Sequence, residues 1–79
     1  MLRQYGSNMT IIEQDGNEVL FSYSTPVAGR NEDGVFKTSK WYSSTTTKHI
    51  NKYFRKEFDI DGKKVRELPQ EEIDNLIQV

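Results

Sequence analysis

The chain contains no cysteine, one histidine, one tryptophan and two prolines among its 79 residues. Without thiols it can form neither a disulfide framework nor a thiolate zinc site, and a single imidazole cannot build a histidine-based metal centre. No oxidising compartment is implied. Long apolar runs are also missing: the longest, Val19-Leu20-Phe21, is far short of a membrane span, and the N-terminus lacks the apolar stretch of a signal peptide. The expectation is a soluble intracellular protein with no membrane partner. Hydrophobic residues make up only 34% of the chain, against about 45–50% in an ordinary globular protein. One domain spanning residues 1–79, with a small core rich in aromatics, is what this length and composition allow. A homodimer is one way for such a chain to gain buried area.

What the chain does have is segregated charge. Between Gly34 and Lys56 stand Lys37, Lys40, Lys48, Lys52, Arg55 and Lys56, with His49 and no acidic residue, while the whole protein carries a net charge of −1. Phe36, Trp41, Tyr42, Tyr53 and Phe54 are interleaved with them. A basic, aromatic-bearing surface of this kind suits phosphate or anionic protein partners.

The apolar pattern predicts an α+β fold in the order βββαβα. Met9 to Glu13 and Val19 to Tyr23 are β-branched and aromatic runs around Asp15-Gly16, which marks a hairpin. Val19, Phe21 and Tyr23 are expected to share the inward face, with Tyr23 ending at its rim. Thr25-Pro26 is expected to break the ladder, Val27 to Gly34 to form an exposed loop, and Val35 to Tyr42 to form a third strand with one basic face. The hydroxyl run Ser43 to Thr47 precedes Ile50, Tyr53, Phe54 and Phe58 at helical spacing, predicting a capped helix over Thr47 to Glu57. Asp61-Gly62 reads as a turn, Lys64 to Leu68 as a short fourth strand, and Pro69 as the start of a final helix whose Ile73, Leu76 and Ile77 are buried. The architecture expected is an antiparallel meander of three to four strands with both helices on one face. Its core is drawn from Ile11, Val19, Phe21, Phe36, Ile50, Tyr53, Phe54, Phe58, Ile73 and Leu76.

Three blocks carry a resemblance. Phe21-Ser22-Tyr23-Ser24-Thr25-Pro26-Val27-Ala28, then Thr45-Thr46-Thr47-Lys48-His49-Ile50-Asn51-Lys52-Tyr53, then Leu68 to Leu76 resemble a family of small, uncharacterised bacteriophage proteins. In that family a Tyr-x-Thr-Pro-Val-Ala block precedes a Thr-Thr-x-x-His-Ile-Asn-Lys block. The resemblance implies a phage-encoded protein in the host cytoplasm and carries no activity, cofactor or catalytic residue with it.

Each candidate for chemistry has a plainer reading beside it. His49 is the natural proton carrier near neutrality, and a helix N-terminus would hold it neutral. Pairing it with Thr46 or Thr47 as a nucleophile lacks a carboxylate to orient the ring, so packing or a bond across to the Tyr23-Thr25 segment is the better account. Ser43 to Thr47 with Lys48 and Lys52 could hold an anion, although capping alone explains the hydroxyls. Trp41 and Tyr42 could stack on bases, but one of two adjacent strand residues must face the core. Asp59, Asp61 and Gly62 fail as a calcium loop because Lys63 and Lys64 follow and the closing glutamate is missing. The expectation is therefore a non-enzymatic phage accessory protein without a cofactor, binding a host or phage protein, such as a host defence protein that it inhibits. Its tentative contact residues are Lys37, Lys40, Trp41, Tyr42, Thr46, Lys48, His49 and Lys52. The alternative is a nucleic-acid-binding module using the same surface over residues 34–56.

Overall fold

The structure, a computed structural model, describes residues 2–77. Met1, Gln78 and Val79, with the part of the single-domain expectation that falls on them, lie outside the described residues. The elements are β1 (Leu2–Gly6), β2 (Met9–Gln14), β3 (Asn17–Ser22), β4 (Thr25–Asn31), β5 (Gly34–Thr38), α1 (Ser44–Phe58), a 3-10 turn (Gly62–Lys64), β6 (Glu67–Leu68) and α2 (Gln70–Asp74).

The six strands form one sheet in sequential order, antiparallel from β1 to β5 and parallel between β5 and β6. The α+β class stands, but the sheet has six strands in place of the expected three to four. The β2–β3 hairpin closes as the sequence predicts. Asp15 and Gly16 both adopt positive φ, 53° and 84°, the primed-turn geometry whose twist matches paired strands.

Two of the added strands come from segments whose local signals are weak or opposed to strand. β1 pairs along β2 with Leu2 opposite Ile12 and Gln4 opposite Thr10. It is held by tertiary packing: the Tyr5 ring stands edge-on to Tyr53, 6.1 Å between centroids. β4 occupies much of the expected loop. Pro26 is tolerated beside a bulge between β3 and β4, where a missing amide does least harm. Gly29 is required there, because a Cβ would collide with the Glu18 carbonyl oxygen of β3 and press on Phe36.

The helices also differ from expectation: they cover opposite faces. Adjacent β3 residues Leu20 and Val19 point to opposite sides. Leu20 joins a cluster with Met9, Ile11, Val27 and the α1 residues Ile50, Tyr53 and Phe54. Val19 joins Phe36 with Ile73 and Ile77. A sheet covered on both sides buries both residues of each alternating pair, so Leu20 and Ser22 are as buried as Val19. The expected inward face therefore holds for Val19 and weakens for half-buried Phe21, while Tyr23, expected at its rim, is exposed. Phe58 and Leu76 are likewise half-buried rather than central.

α1 starts earlier than predicted. Ser43 is its N-cap, accepting from the Thr46 amide at 3.1 Å, which satisfies one of the orphan amides of the first turn. Its end is set by Asp59 in the left-handed region, with its amide on the Arg55 carbonyl, an αL closure, and that of Ile60 on Phe54. At the other end of the chain, β6 is only two residues long and α2 starts after Pro69, with Glu71 and Glu72 in its first turn.

Candidate functional site

β5 ends at Thr38, and the segment from Ser39 to Ser43 that leads into α1 is not regular strand. The alternation rule that would send either Trp41 or Tyr42 inward therefore does not apply. Tyr42 is half-buried against the α1-side core, whereas Trp41 stands 72% exposed. Together with Lys37, Lys40, Thr46, Thr47, Ile50, Asn51 and Glu67 they line a groove of about 200 Å3 between β5 and the start of α1.

Charge in this groove is mixed. Lys40 Nζ lies 5.0 Å from the Tyr42 ring centroid, a cation–π distance. Lys37 stands opposite Glu67 in the β5–β6 register. Burial first, and the Asp74 carboxylate second, raise the Tyr42 phenol above its ordinary pKa. The described ion pairs all converge on Arg3, far along the sheet.

Five of the eight candidate residues, Lys37, Lys40, Trp41, Tyr42 and Thr46, meet in this groove. The other three do not join them. Lys48 and Lys52 are exposed and, with Arg55, fall on the ridge of α1 opposite its buried stripe of Thr46, Ile50 and Tyr53. Lys56 reaches another way, 5.9 Å from the Tyr5 ring. The basic run thus divides between a groove and a solvated helix ridge.

His49 lies on the other flank of α1, facing β3. Its Nδ1 is 2.8 Å from the Ser22 hydroxyl, which is 3.1 Å from the Thr46 hydroxyl, which in turn accepts from Ser43 Oγ at 3.3 Å. The expected bond across to the Tyr23-Thr25 segment thus lands one residue earlier, on Ser22, while the Tyr23 ring sits 5.8 Å from the imidazole. The imidazole pKa is lowered, by partial burial first and by Lys52 second. The direction is the one a helix N-terminus would produce, but α1 begins at Ser44 and places His49 beyond its first turn. Chemically, the chain of hydroxyls clamps α1 to β3. Ser22 is only 2% exposed and the described partners of the imidazole include no carboxylate, so the oriented, accessible nucleophile of a hydrolytic triad is not assembled here.

Tyr23 is a residue that the sequence pattern undervalued. It adopts a φ of 59°, uncommon for a bulky side chain, while its ring remains 55% exposed. Its amide donates to the Asn8 carbonyl at 2.7 Å, which holds the turn. The advance signals were its place at the end of an alternating strand, one residue before a serine and a Thr-Pro pair, and its position at the head of the Tyr-x-Thr-Pro-Val-Ala block.

Fold and groove together define a three-layered α+β protein, a sheet between two helices, that presents an exposed tryptophan beside lysines that join none of the described ion pairs, at the start of α1. The family of unknown function DUF8033 matches residues 3–75, and the chain belongs to that family. Comparisons with curated proteins and with solved structures give no match. Among the described residues no helix is long and apolar enough to cross a membrane.

Proposed function

We propose that this protein is a non-enzymatic binding module whose contact surface is the β5–α1 groove and that its partner is a protein. The observation that carries this reading is Trp41, 72% exposed on a groove wall whose lysines form none of the described ion pairs. An exposed tryptophan flanked by cations is the composition of an interface anchor. Glu67 within the groove, and the Asp74 carboxylate that raises Tyr42, favour a protein over a phosphate backbone, which every carboxylate would repel. The resemblance of the sequence blocks to phage proteins supports a phage accessory role in a bacterial cytoplasm, by contact alone, on a host or phage protein.

The test is capture from a nuclease-treated bacterial lysate by the full chain and by its Trp41→Ala variant. The reading predicts a stoichiometric protein retained by the wild type and lost with the variant. A nucleic-acid module predicts instead that nuclease removes everything captured, and that an oligonucleotide mobility shift weakens steeply with salt.

A further inference from the structure

A second site lies at the fork where β6 leaves β5. The Lys37 amide donates to the Arg66 carbonyl and the Ser39 amide to the Leu68 carbonyl, both at 2.9 Å. Backbone groups in a strand alternate in direction, so the N–H and C=O of Val35 point to the same edge as those of Lys37. There the neighbouring chain has turned away. The Lys64 and Val65 amides fold back onto Asp61 and Gly62 at 3.0 and 3.4 Å, and the Val35 backbone makes no bond to this segment. The space left is a cavity of about 570 Å3 walled by Val35, Ile60 and Val65, with Asp33, Asp61, Lys64 and Arg66 around its mouth.

We infer that this fork binds a short extended peptide, which continues the β6 line alongside Val35 and places an aliphatic side chain in the Val35–Ile60–Val65 cavity. An apolar small molecule would fill the cavity but leave the strand edge unpaired, whereas an extended chain supplies one donor and one acceptor at the spacing the edge presents. The mouth offers two carboxylates and two cations, matching a peptide whose aliphatic residues are flanked by one basic and one acidic residue. This site is separate from the Trp41 groove and stands without it.

The experiment titrates the isotope-labelled full chain with acetyl-Lys-Val-Ile-Val-Glu-amide and follows backbone amides by NMR. Saturable shifts centred on Gly34, Val35, Ile60, Val65 and Arg66 are expected, with the Val35 amide gaining protection from hydrogen exchange. The same peptide N-methylated at its central isoleucine keeps every side chain, and its affinity should fall at least tenfold. Ile60→Ser should weaken the unmodified peptide in the same sense without moving Trp41 signals. Equal binding of the N-methylated peptide, shifts centred on Trp41, or no shifts at millimolar peptide would each overturn the assignment.

Discussion

Two polar regions lie on either side of α1 and are treated in opposite ways. On the β1–β3 side, the buried Tyr53 hydroxyl donates to Glu18 Oε2 at 2.5 Å, and Arg3 Nη2 stands 3.4, 3.9 and 4.0 Å from carboxylate oxygens of Glu57, Glu18 and Glu13. Glu18 is 7% exposed, so its carboxylate depends on these partners in place of water. Burial first, then the Glu18 hydrogen bond, drives the Tyr53 phenol far above its ordinary pKa. On the β5 side, half-exposed Lys37 and exposed Lys40 and Trp41 join none of the described ion pairs. The contrast separates polar groups that the fold consumes from those it leaves at the surface, the ones we propose meet a partner.

The comparison is broken most forcefully at Tyr53. Tyr53→Ala removes a fully buried ring, and unfolding in denaturant should show a loss of about 3–5 kcal/mol, the usual cost of truncating a buried aromatic. Tyr53→Phe isolates the hydroxyl: it leaves Glu18 short of a donor and should cost about 1–3 kcal/mol. If Tyr53→Phe were neutral, the Glu18 network would not be what holds this side together.

On the β5 side the signature should be reversed. Trp41→Ala should weaken partner association by about 2 kcal/mol or more, the cost of losing an interface anchor, while stability stays within about 0.5 kcal/mol, as for any exposed substitution. Titration calorimetry with the captured partner, paired with denaturation, reads both. Changing Lys37 and Lys40 together to Gln should weaken association less and make it less salt-dependent, again with little change in stability.

The smallest effect concerns His49. Its folded-state pKa is lowered from the ordinary value of about 6.5, so the folded state binds fewer protons than the unfolded chain. The stability gained from keeping the ring neutral is fully present above pH about 6.5 and declines as pH falls toward the folded-state value. Thermal unfolding between pH 7.5 and 5 should therefore show a downward slope on acidification that is shallower in His49→Gln. A slope unchanged by the substitution would remove His49 from the account.

How legible the fold was depended on whether the information was local. The Asp15-Gly16 hairpin, the Ser43 cap region, Pro69 and the apolar stripe of α1 are written in neighbouring residues, and each is present. β1 was not legible, because Leu2-Arg3-Gln4-Tyr5-Gly6 becomes a strand only when β2 offers an edge and Tyr53 a ring. β4 was obscured by two residues that usually break strands. Pro26 sits beside a bulge and Gly29 where only hydrogen fits, and both facts concern β3 rather than β4 itself. The opposite-face placement of α2 was hidden for the same reason, since the near-continuous apolar run at Val19-Leu20-Phe21 signals burial on both sides only once a sheet exists. At the candidate site the residue types were readable, but the gathering of the cations was not. Lys48, Lys52 and Arg55 follow helical periodicity onto a ridge, whereas Lys37 and Lys40 follow β5.

The most direct measurement places p-benzoylphenylalanine at position 41 of the full chain and irradiates it in a nuclease-treated bacterial lysate, with the same group at exposed position 4 on β1, away from both proposed sites, as the control. The account predicts a discrete protein adduct from position 41 and not from position 4. No adduct from position 41, or the same adducts from both positions, would contradict the claim that the Trp41 groove is built to meet a partner.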